Sequence, residues 1–415
     1  MTGLNYFRNK NLLNLYAIEK HEYWKFLVEN LKPYFNQCHT FNFIDYSRKY
    51  GLKNTEDYIR KFVKEKNIDI VLPFFFASDF ELTPQFYKSL QNTSNVVFWF
   101  FDDDSFIDVI TKYYAQVGSA VLNIDYLPLF YYKRLGINAI YAPETQNKKD
   151  FYPISVPKDI DVSFVGDCTK SDRMIYLNFL EAKGIKLETF GFGSKNGYAA
   201  RSELPRIYSR SKISLNFTRV DELTWMTEDD PLLNRVRQTK GHFAQVAMTK
   251  TFCLSEYAPG LPVRLEIGKD IVTFFNKEEL FEKVKYYLEN TAERNDIAEN
   301  GYKKAMKYFE AGVEFPRILN ELGSILSSPD SMKLAPNEGV IYLSDSFKAK
   351  SVNGLAFSMS VLIAHLKIKN AIELLIRATS YGFPAFMKGF HKGVFRAFMV
   401  FFHKLTNRYS QIYKR

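Results

Sequence analysis

The chain has 415 residues, of which 46% are hydrophobic and 25% charged, and its formal net charge is +10. This length predicts two domains, because a single hydrophobic core rarely grows beyond about 300 residues, and the composition excludes a disordered chain. The positive charge indicates an anionic partner, such as a phosphate-bearing ligand, an anionic membrane or a nucleic acid.

Cysteine usage and the N-terminus favour a cytoplasmic protein. Three cysteines lie far apart in the chain, so we expect neither a disulfide framework nor a zinc site. Residues 1–24 contain scattered charges and no apolar central region, which argues against a secretory signal. No run of residues has the length needed to span a bilayer.

Residues 1–150 alternate between helical and strand-like segments. The predicted helices are 56–66, 83–90, 106–115 and 127–135. The predicted strands are 68–76, 95–101, 119–124 and 139–142. Regular alternation of this kind is typical of βαβ units and a parallel sheet. The polar, proline-bearing segment 147–158 then predicts a linker between domains.

The alternation begins again in residues 151–330. The predicted strands are 160–165, 186–190, 213–217, 251–255 and 270–275. The predicted helices are 173–183, 204–211, 233–248, 277–290 and 292–309. Two such series predict an α/β protein with two Rossmann-like, doubly wound domains that face a cleft.

Residues 331–415 differ in character from both domains. No acidic residue follows Glu373, while Lys388, Lys392 and Arg396 recur every four residues. The side chains expected on roughly the opposite side of the same helix are Phe390, Val394, Phe398, Phe401 and Leu405. This pattern predicts a basic amphipathic helix that lies on an anionic membrane surface. The alternatives are that the apolar side packs on the protein's own body, or that the tail binds nucleic acid. Nucleic-acid binding is the weaker alternative, because it would have to use so many large aromatic residues.

Ligands of open parallel sheets bind beyond the carboxyl ends of the strands, and several polar segments lie there. Two predicted strands of the second domain end in glycines, and Ser194 follows the second of these ends. The helix predicted from residue 233 brings cations to the same edge, as binding of a diphosphate requires. The residues expected to bind a phosphate-bearing ligand are Gly166, Gly191, Gly193, Ser194, Arg235, Lys240, Gly241 and Gln245.

Four side chains are candidates for catalysis. Asp103, within the triplet 102–104 at the end of a strand, is a candidate general base, although the triplet is equally suited to capping the next helix. Glu144 follows the last strand of the first domain, and Asp230 lies beside the basic segment and is the candidate nucleophile of a covalent mechanism. His242 is expected to stabilise charge on a leaving group.

Several segments resemble the donor-binding half of the CgeB-like, spore-maturation glycosyltransferases. They are 161–166 (DVSFVG) with Arg173, 211–217 (SKISLNF), 236–241 (VRQTKG), 252–261 (FCLSEYAPGL) and 267–272 (IGKDIV). In the first domain, 98–104 (FWFFDDD), Asp125 and 132–136 (YKRLG) are similar to the family's N-terminal half. The resemblance implies a metal-independent GT-B enzyme that uses a nucleotide-sugar donor and no other cofactor. It also implies that Arg173 and Glu256 contribute to the donor site.

The chain departs from the family pattern at 240–245 (KGHFAQ), where the family tends to have Lys-Gly-Arg-x-Phe-Glu. His242 replaces the arginine and Gln245 replaces the carboxylate, so the nucleotide stays open between UDP, GDP and CMP. The expected reaction is sugar transfer to a bacterial surface polysaccharide or lipid-linked glycan, at the inner face of the cell membrane. The alternatives are a transferase of a CMP-linked, Kdo-like acid sugar, a phage-type glycosyltransferase of nucleic-acid bases, and a catalytically silent glycan-binding protein.

Overall fold

A computed structural model of the protein describes residues 3–16, 22–75, 82–170, 173–220, 236–328 and 342–405. Within these ranges the chain forms two parallel sheets, each flanked by helices, and a helical C-terminal region. None of the described helices combines the length and the apolar character needed to cross a bilayer.

The N-terminal sheet has six parallel strands in the order β2-β1-β3-β4-β5-β6. They are β1 (Asn11–Tyr16), β2 (Gln37–Asn42), β3 (Ile70–Phe75), β4 (Asn95–Phe100), β5 (Ala120–Asn123) and β6 (Ala139–Tyr141). Every residue of β4 is buried, because helices cover both faces of the sheet. These helices are α1 (Glu22–Leu31), α2 (Phe43–Tyr50), α3 (Leu52–Glu65), α4 (Pro84–Leu90), α5 (Asp103–Phe106), α6 (Lys112–Ala115) and α7 (Pro128–Arg134).

The second sheet has five parallel strands in the order β11-β10-β9-β7-β8. They are β7 (Ile160–Val165), β8 (Leu187–Phe190), β9 (Ser211–Asn216), β10 (Phe252–Glu256) and β11 (Val272–Phe274). The helices are α8 (Arg173–Ala182), α9 (Leu204–Arg210), α10 (His242–Ala247), α11 (Lys277–Glu289) and α12 (Thr291–Tyr308). The two alternating series predicted from the sequence are confirmed.

Helix α13 (Ala311–Leu326) returns to the first domain. Its buried residues Phe315, Ile318 and Leu322 share a core with strands β3 to β6. Arg317 strengthens this contact, since its guanidinium donates to the backbone carbonyl oxygen of Tyr141. The helix therefore packs on the N-terminal domain, although it falls within the residues predicted for the second.

The C-terminal region forms three helices, α14 (Asp345–Ala364), α15 (Ile368–Thr379) and α16 (Phe383–Leu405). Phe347 and Val352 of α14 and Leu374 of α15 are buried in the same core as the N-terminal sheet. Arg377 forms an ion pair of 2.7 Å with Glu56 of α3. The region is thus part of the N-terminal domain rather than a separate appendage.

The helix predicted over 233–248 is shorter in the described residues. It begins only at His242, and the preceding segment 236–240 is not helical. The backbone N–H of Gln238 donates to the carbonyl oxygen of Thr218 at 2.9 Å, and Arg219 forms an antiparallel bridge with Arg237. This pairing with the chain beyond β9 supplies the hydrogen bonds that a helix would otherwise have made.

Candidate functional site

The carboxyl ends of the two sheets meet across an interdomain cleft. Lys240, on the second domain, lies with its Nζ 3.5 Å from Oδ1 of Asp102, which follows β4. The backbone N–H of Gly241 donates to Oε2 of Glu144, which follows β6, at 2.8 Å. This edge is where the parallel-sheet rule places a ligand, and Lys240, one of the cations predicted from the sequence, lies on one of its walls.

Asp103 lies inside the N-terminal domain rather than in the cleft. Its side chain is fully buried and accepts hydrogen bonds from Thr111, Asn123 and Tyr132, the last at 2.7 Å. Burial raises its pKa to about 6, and the three donors only partly offset this. Because every donor belongs to its own domain, Asp103 ties α5 to the sheet and to α7. The expectation that it faces the cleft is corrected.

Asp104 and Asp125 form the acidic pair that faces Lys240. The backbone N–H of Asp104 donates to Oδ2 of Asp125 at 3.3 Å. Burial raises the pKa of Asp104 to about 7, the charge of Asp103 adds to the rise, and Lys240 opposes it. Burial also raises the pKa of Asp125, reinforced by Asp104. A carboxylate with a pKa near neutrality is suited to accept a proton from a hydroxyl group.

Glu144 links the two domains at the floor of the cleft. Burial raises its pKa, and the N–H of Gly241 and the charge of Lys240 oppose the rise. A Cβ at Gly241 would overlap the Glu144 carboxyl group, so a larger residue there would displace this side chain. Glu144 is therefore engaged in holding the first residues of α10 against the N-terminal domain.

Glu256, at the end of β10, organises the wall of the second domain. Its Oε2 accepts from the backbone N–H groups of Thr218 and Arg219, both at 3.0 Å. Its Oε1 lies 2.9 Å from Nε of Arg237 and 3.9 Å from Nε of Arg219. The carboxylate is almost completely buried, and it holds two arginines next to the segment that carries Lys240.

His242 and Gln245 share a partner on α9. The hydroxyl group of Tyr208 lies 3.4 Å from Nδ1 of His242, and it donates to Oε1 of Gln245 at 3.4 Å. Burial lowers the pKa of His242 to about 4, and the nearby charge of Arg173 lowers it further. At neutral pH the imidazole is uncharged, so it offers a ligand hydrogen bonds but no positive charge.

The glycine-bearing loops after β7 and β8 pack on each other. Gly191 has a φ of 114°, and a Cβ there would collide with the carbonyl oxygen of Gly166. A Cβ at Gly193, whose φ is 68°, would likewise collide with the side chain of Thr169. The hydroxyl group of Ser194 donates to the carbonyl oxygen of Gly191 at 2.7 Å, so it stabilises its own turn. Arg173 donates to the carbonyl oxygen of Asp167 in the first of these loops at 2.9 Å.

Two of the predicted site residues, Asp230 and Arg235, lie outside the described residues. Within the described ranges, no group of three or more His, Cys, Asp or Glu side chains is placed to hold a metal ion.

Sequence reasoning did not assign roles to Tyr208 and Asn123. Tyr208 is completely buried and reaches both His242 and Gln245 from a different helix. Asn123 supports Asp103 with its amide nitrogen, while its Oδ1 accepts from the N–H of Asp125 at 2.9 Å. Asn123 lies near the end of the predicted strand 119–124, and this position was a sequence indication of a role in the site. No sequence pattern distinguished Tyr208 in this way.

About a third of the chain, most of it in the second domain, resembles a known protein family. A family model described as glycosyl transferase-like matches residues 173–312, which include Arg237, Lys240 and Glu256. No curated protein sequence is significantly similar to the chain.

Several solved structures share the architecture of the chain. The Alr3699/HepE protein of Anabaena, in complex with UDP and glucose, has a TM-score of 0.56 and 11% identity, covering 76% of this chain and 100% of its own. A glycosyltransferase from Rickettsia africae has a TM-score of 0.54 and 12% identity, covering 78% and 100%. Sucrose-phosphate synthase from Thermosynechococcus elongatus has a TM-score of 0.55 and 10% identity, covering 77% and 98%.

The fold defines the architectural class of the protein. Two Rossmann-like domains that face each other across a cleft are the GT-B architecture, and the predicted fold is confirmed. The chain thus has the GT-B fold, and residues 173–312 resemble a glycosyl transferase-like family.

Proposed function

We propose that the protein transfers a sugar from a nucleotide-sugar donor, bound by the second domain, to a hydroxyl group of a glycan bound by the first. The observation that carries this proposal is the pairing of opposite charges across the cleft, where Lys240 faces Asp102, Asp104 and Asp125. A glycosyl transfer needs a cation for the departing phosphates and a base for the attacking hydroxyl, and these groups lie on opposite walls.

The donor side is built from Lys240 and the arginines that Glu256 holds. The diphosphate of a bound donor would replace Asp102 as the partner of Lys240, with a charge-assisted hydrogen bond to each new oxygen. Neutral His242 and Gln245 would add hydrogen bonds to the ribose or sugar, and the loops of Gly166, Gly191, Gly193 and Ser194, with Arg173, would border the base. The Anabaena protein in complex with UDP-glucose supports UDP as the first nucleotide to test.

The acceptor side is the acidic wall of the first domain. We propose Asp104 as the general base, because a pKa of about 7 lets it hold the proton of the acceptor hydroxyl at neutral pH. Asp125 supports it through the N–H of Asp104. The acceptor hydroxyl gives its proton to Asp104 while the hydroxyl oxygen attacks the anomeric carbon. The bond between the anomeric carbon and the nucleotide diphosphate breaks at the same time. This scheme inverts the configuration and requires neither a metal nor another cofactor.

A retaining mechanism would instead use Asp230 as the nucleophile, and the anomeric configuration of the product decides between the two mechanisms.

We propose a CgeB-like enzyme that acts on a bacterial surface polysaccharide or a lipid-linked glycan, in the cytoplasm at the inner face of the membrane. The order of the motifs in the second domain supports the subfamily.

The first experiment is a thermal-shift screen of the full chain with UDP, GDP, CMP and dTDP. A ligand that binds the folded state alone stabilises it by mass action, by about 2.7 kcal/mol at one hundred times its Kd. We expect a nucleoside diphosphate to raise the melting temperature most. A response to CMP alone would favour a CMP-linked acid sugar as donor. Stabilisation without release of sugar from any donor would favour the silent glycan-binding alternative, and no response to any nucleotide would refute the proposal.

A further inference from the structure

Helix α16 exposes a row of large apolar side chains along one face. Positions 383, 387, 394, 398 and 402 are separated by four or seven residues and so share that face. The exposed fractions are 75% for Phe383, 56% for Met387, 63% for Phe395, 59% for Phe398 and 51% for Phe402. His391 lies on the same face and is exposed too. We call the exposed row Phe383, Met387, Val394, Phe395, Phe398 and Phe402 the aromatic face.

The opposite face of α16 explains why these large side chains point outward. Gly389, Gly393 and Ala397 are buried and recur every four residues. A Cβ at Gly389 would collide with the carbonyl oxygen of Ala349 on α14, and one at Gly393 with that of Asn353. The helix therefore packs on the protein through small residues that allow close backbone approach. The predicted apolar side is corrected, since Phe390 and Phe401 are half-buried whereas Phe395 and Phe402 are exposed.

Cations border the aromatic face. Lys388 and Lys392 lie along one edge of it and are both exposed. Arg396, one turn further on, places its guanidinium 4.2 Å from the ring centroid of Phe357 on α14 and so helps to hold the helix in place. No acidic residue follows Glu373 in the chain. The surface thus combines an apolar centre with a positive border, on a helix that carries no acidic residue of its own.

We propose that the aromatic face of α16 docks on an anionic lipid bilayer, with the rings at the boundary between headgroups and acyl chains. Insertion would remove the exposed rings from water, and Lys388 and Lys392 would meet anionic headgroups. A second copy of this chain fits less well, because an isologous contact would bring two positive borders together. Which cellular membrane is bound rests on the proposed function. The contact between the aromatic face and the lipid does not depend on the reaction.

Flotation of the full chain with vesicles tests the proposal in the absence of donor and acceptor. The vesicles are phosphatidylcholine alone or phosphatidylcholine with 30% phosphatidylglycerol. Point variants are used instead of a deletion of the C-terminal region, because helices α14 and α15 contribute to the N-terminal core. The apolar variant is F395Q/F398Q, and its matched control is Y286Q/V313Q, which changes two side chains of similar exposure on the second domain and α13. The charge variant is K388Q/K392Q, and K148Q/K149Q removes the same charge elsewhere.

We expect the wild-type chain to float with the anionic vesicles, and raising the salt concentration to weaken this binding. F395Q/F398Q and K388Q/K392Q should each reduce the partition coefficient by about tenfold or more, and both controls by less than about twofold. Unchanged melting temperatures would show that all variants fold. The proposal is overturned if F395Q/F398Q floats as well as Y286Q/V313Q, or if the wild type floats with neither vesicle. It is also overturned if sedimentation without lipid shows a dimer that F395Q/F398Q separates.

Discussion

The two walls of the cleft differ in charge and in how their charged groups are held. On the N-terminal wall, Asp104 and Asp125 lie close together, and burial raises the pKa of each. On the opposite wall, Glu256 is as deeply buried as Asp125, but it meets Arg237 and two backbone N–H groups. A buried carboxylate with matched donors serves to hold structure, whereas one with a carboxylate neighbour is prepared to take up a proton.

The same contrast exists between neighbouring residues of one wall. Asp103 is surrounded by three donors of its own domain, and Asp104 faces Lys240 across the cleft. Adjacent aspartates thus have different tasks: the first stabilises the domain, and the second is available to an acceptor. Substitutions at the two positions are expected to separate stability from catalysis.

Asp104→Asn has the largest expected effect. Removing a general base lowers the rate of transfer by about 10²- to 10⁴-fold, while the KM for the donor changes little because the donor binds on the other wall. The measurement is kcat for sugar transfer with the nucleotide that the thermal-shift screen selects. Asp108→Asn is the matched control, since Asp108 is exposed on the same helical segment. More than a tenth of wild-type kcat in Asp104→Asn would remove this residue from the chemistry.

Asp103→Asn is expected to act on stability instead. An amide presents an N–H group to three donors and loses the negative charge, at a cost of about 1–3 kcal/mol of the free energy of unfolding. Chemical denaturation measures this loss, with Asp108→Asn again as the control. The kcat of the folded variant should stay within about threefold of wild type. A variant as stable as wild type but inactive would return the catalytic role to Asp103.

Lys240→Ala tests the opposite wall. A charge-assisted hydrogen bond to phosphate contributes about 1.5–3 kcal/mol, so the Kd for the nucleoside diphosphate should rise by about ten- to a hundredfold. Titration calorimetry measures this change. Lys64→Ala on α3, where the lysine is exposed and distant from the cleft, should leave the Kd unchanged. Equal affinity in the two variants would exclude Lys240 from the donor site.

The raised pKa of Asp104 has the smallest expected effect, which is a dependence of the rate on pH. With a pKa of about 7, the ionised fraction and the rate should rise about tenfold between pH 6 and pH 8. The same group makes the folded protein less stable as pH rises from about 4 to about 7, because the folded state binds this proton more tightly than the unfolded state. Asp104→Asn should remove that contribution to stability. A flat rate profile over this pH range would contradict the proposed base.

Much of the fold follows from local sequence patterns. Strand β4 (NVVFWF) is an almost continuous apolar run and strand β7 (IDVSFV) alternates apolar and polar residues, and their predicted positions agree with the structure to within a residue. Strand β2 (QCHTFN) has no such signal, since it is a half-exposed edge strand and its pairing with β1 is a tertiary interaction. The helix predicted over 233–248 begins only at His242 in the described residues for a similar reason, because Thr218 pairs with Gln238 from a distant part of the chain.

The location of the site was easier to predict from the sequence than the role of each residue in it. The rule for strand ends indicated both Lys240 and the aspartate triplet. It did not distinguish Asp103 from Asp104, because that difference depends on Thr111, Asn123 and Tyr132, which approach from other elements. Likewise, the periodicity of α16 indicated an amphipathic helix, but the outward face depends on the close packing of Gly389 and Gly393 against α14.

The crystal structure of the wild-type chain in complex with a nucleoside diphosphate tests the division of roles between the walls most directly. We expect a phosphate oxygen about 3 Å from Nζ of Lys240, in place of Asp102, with the carboxylate of Asp104 open towards the acceptor side. A nucleotide bound elsewhere, with Lys240 still paired to Asp102, would contradict it.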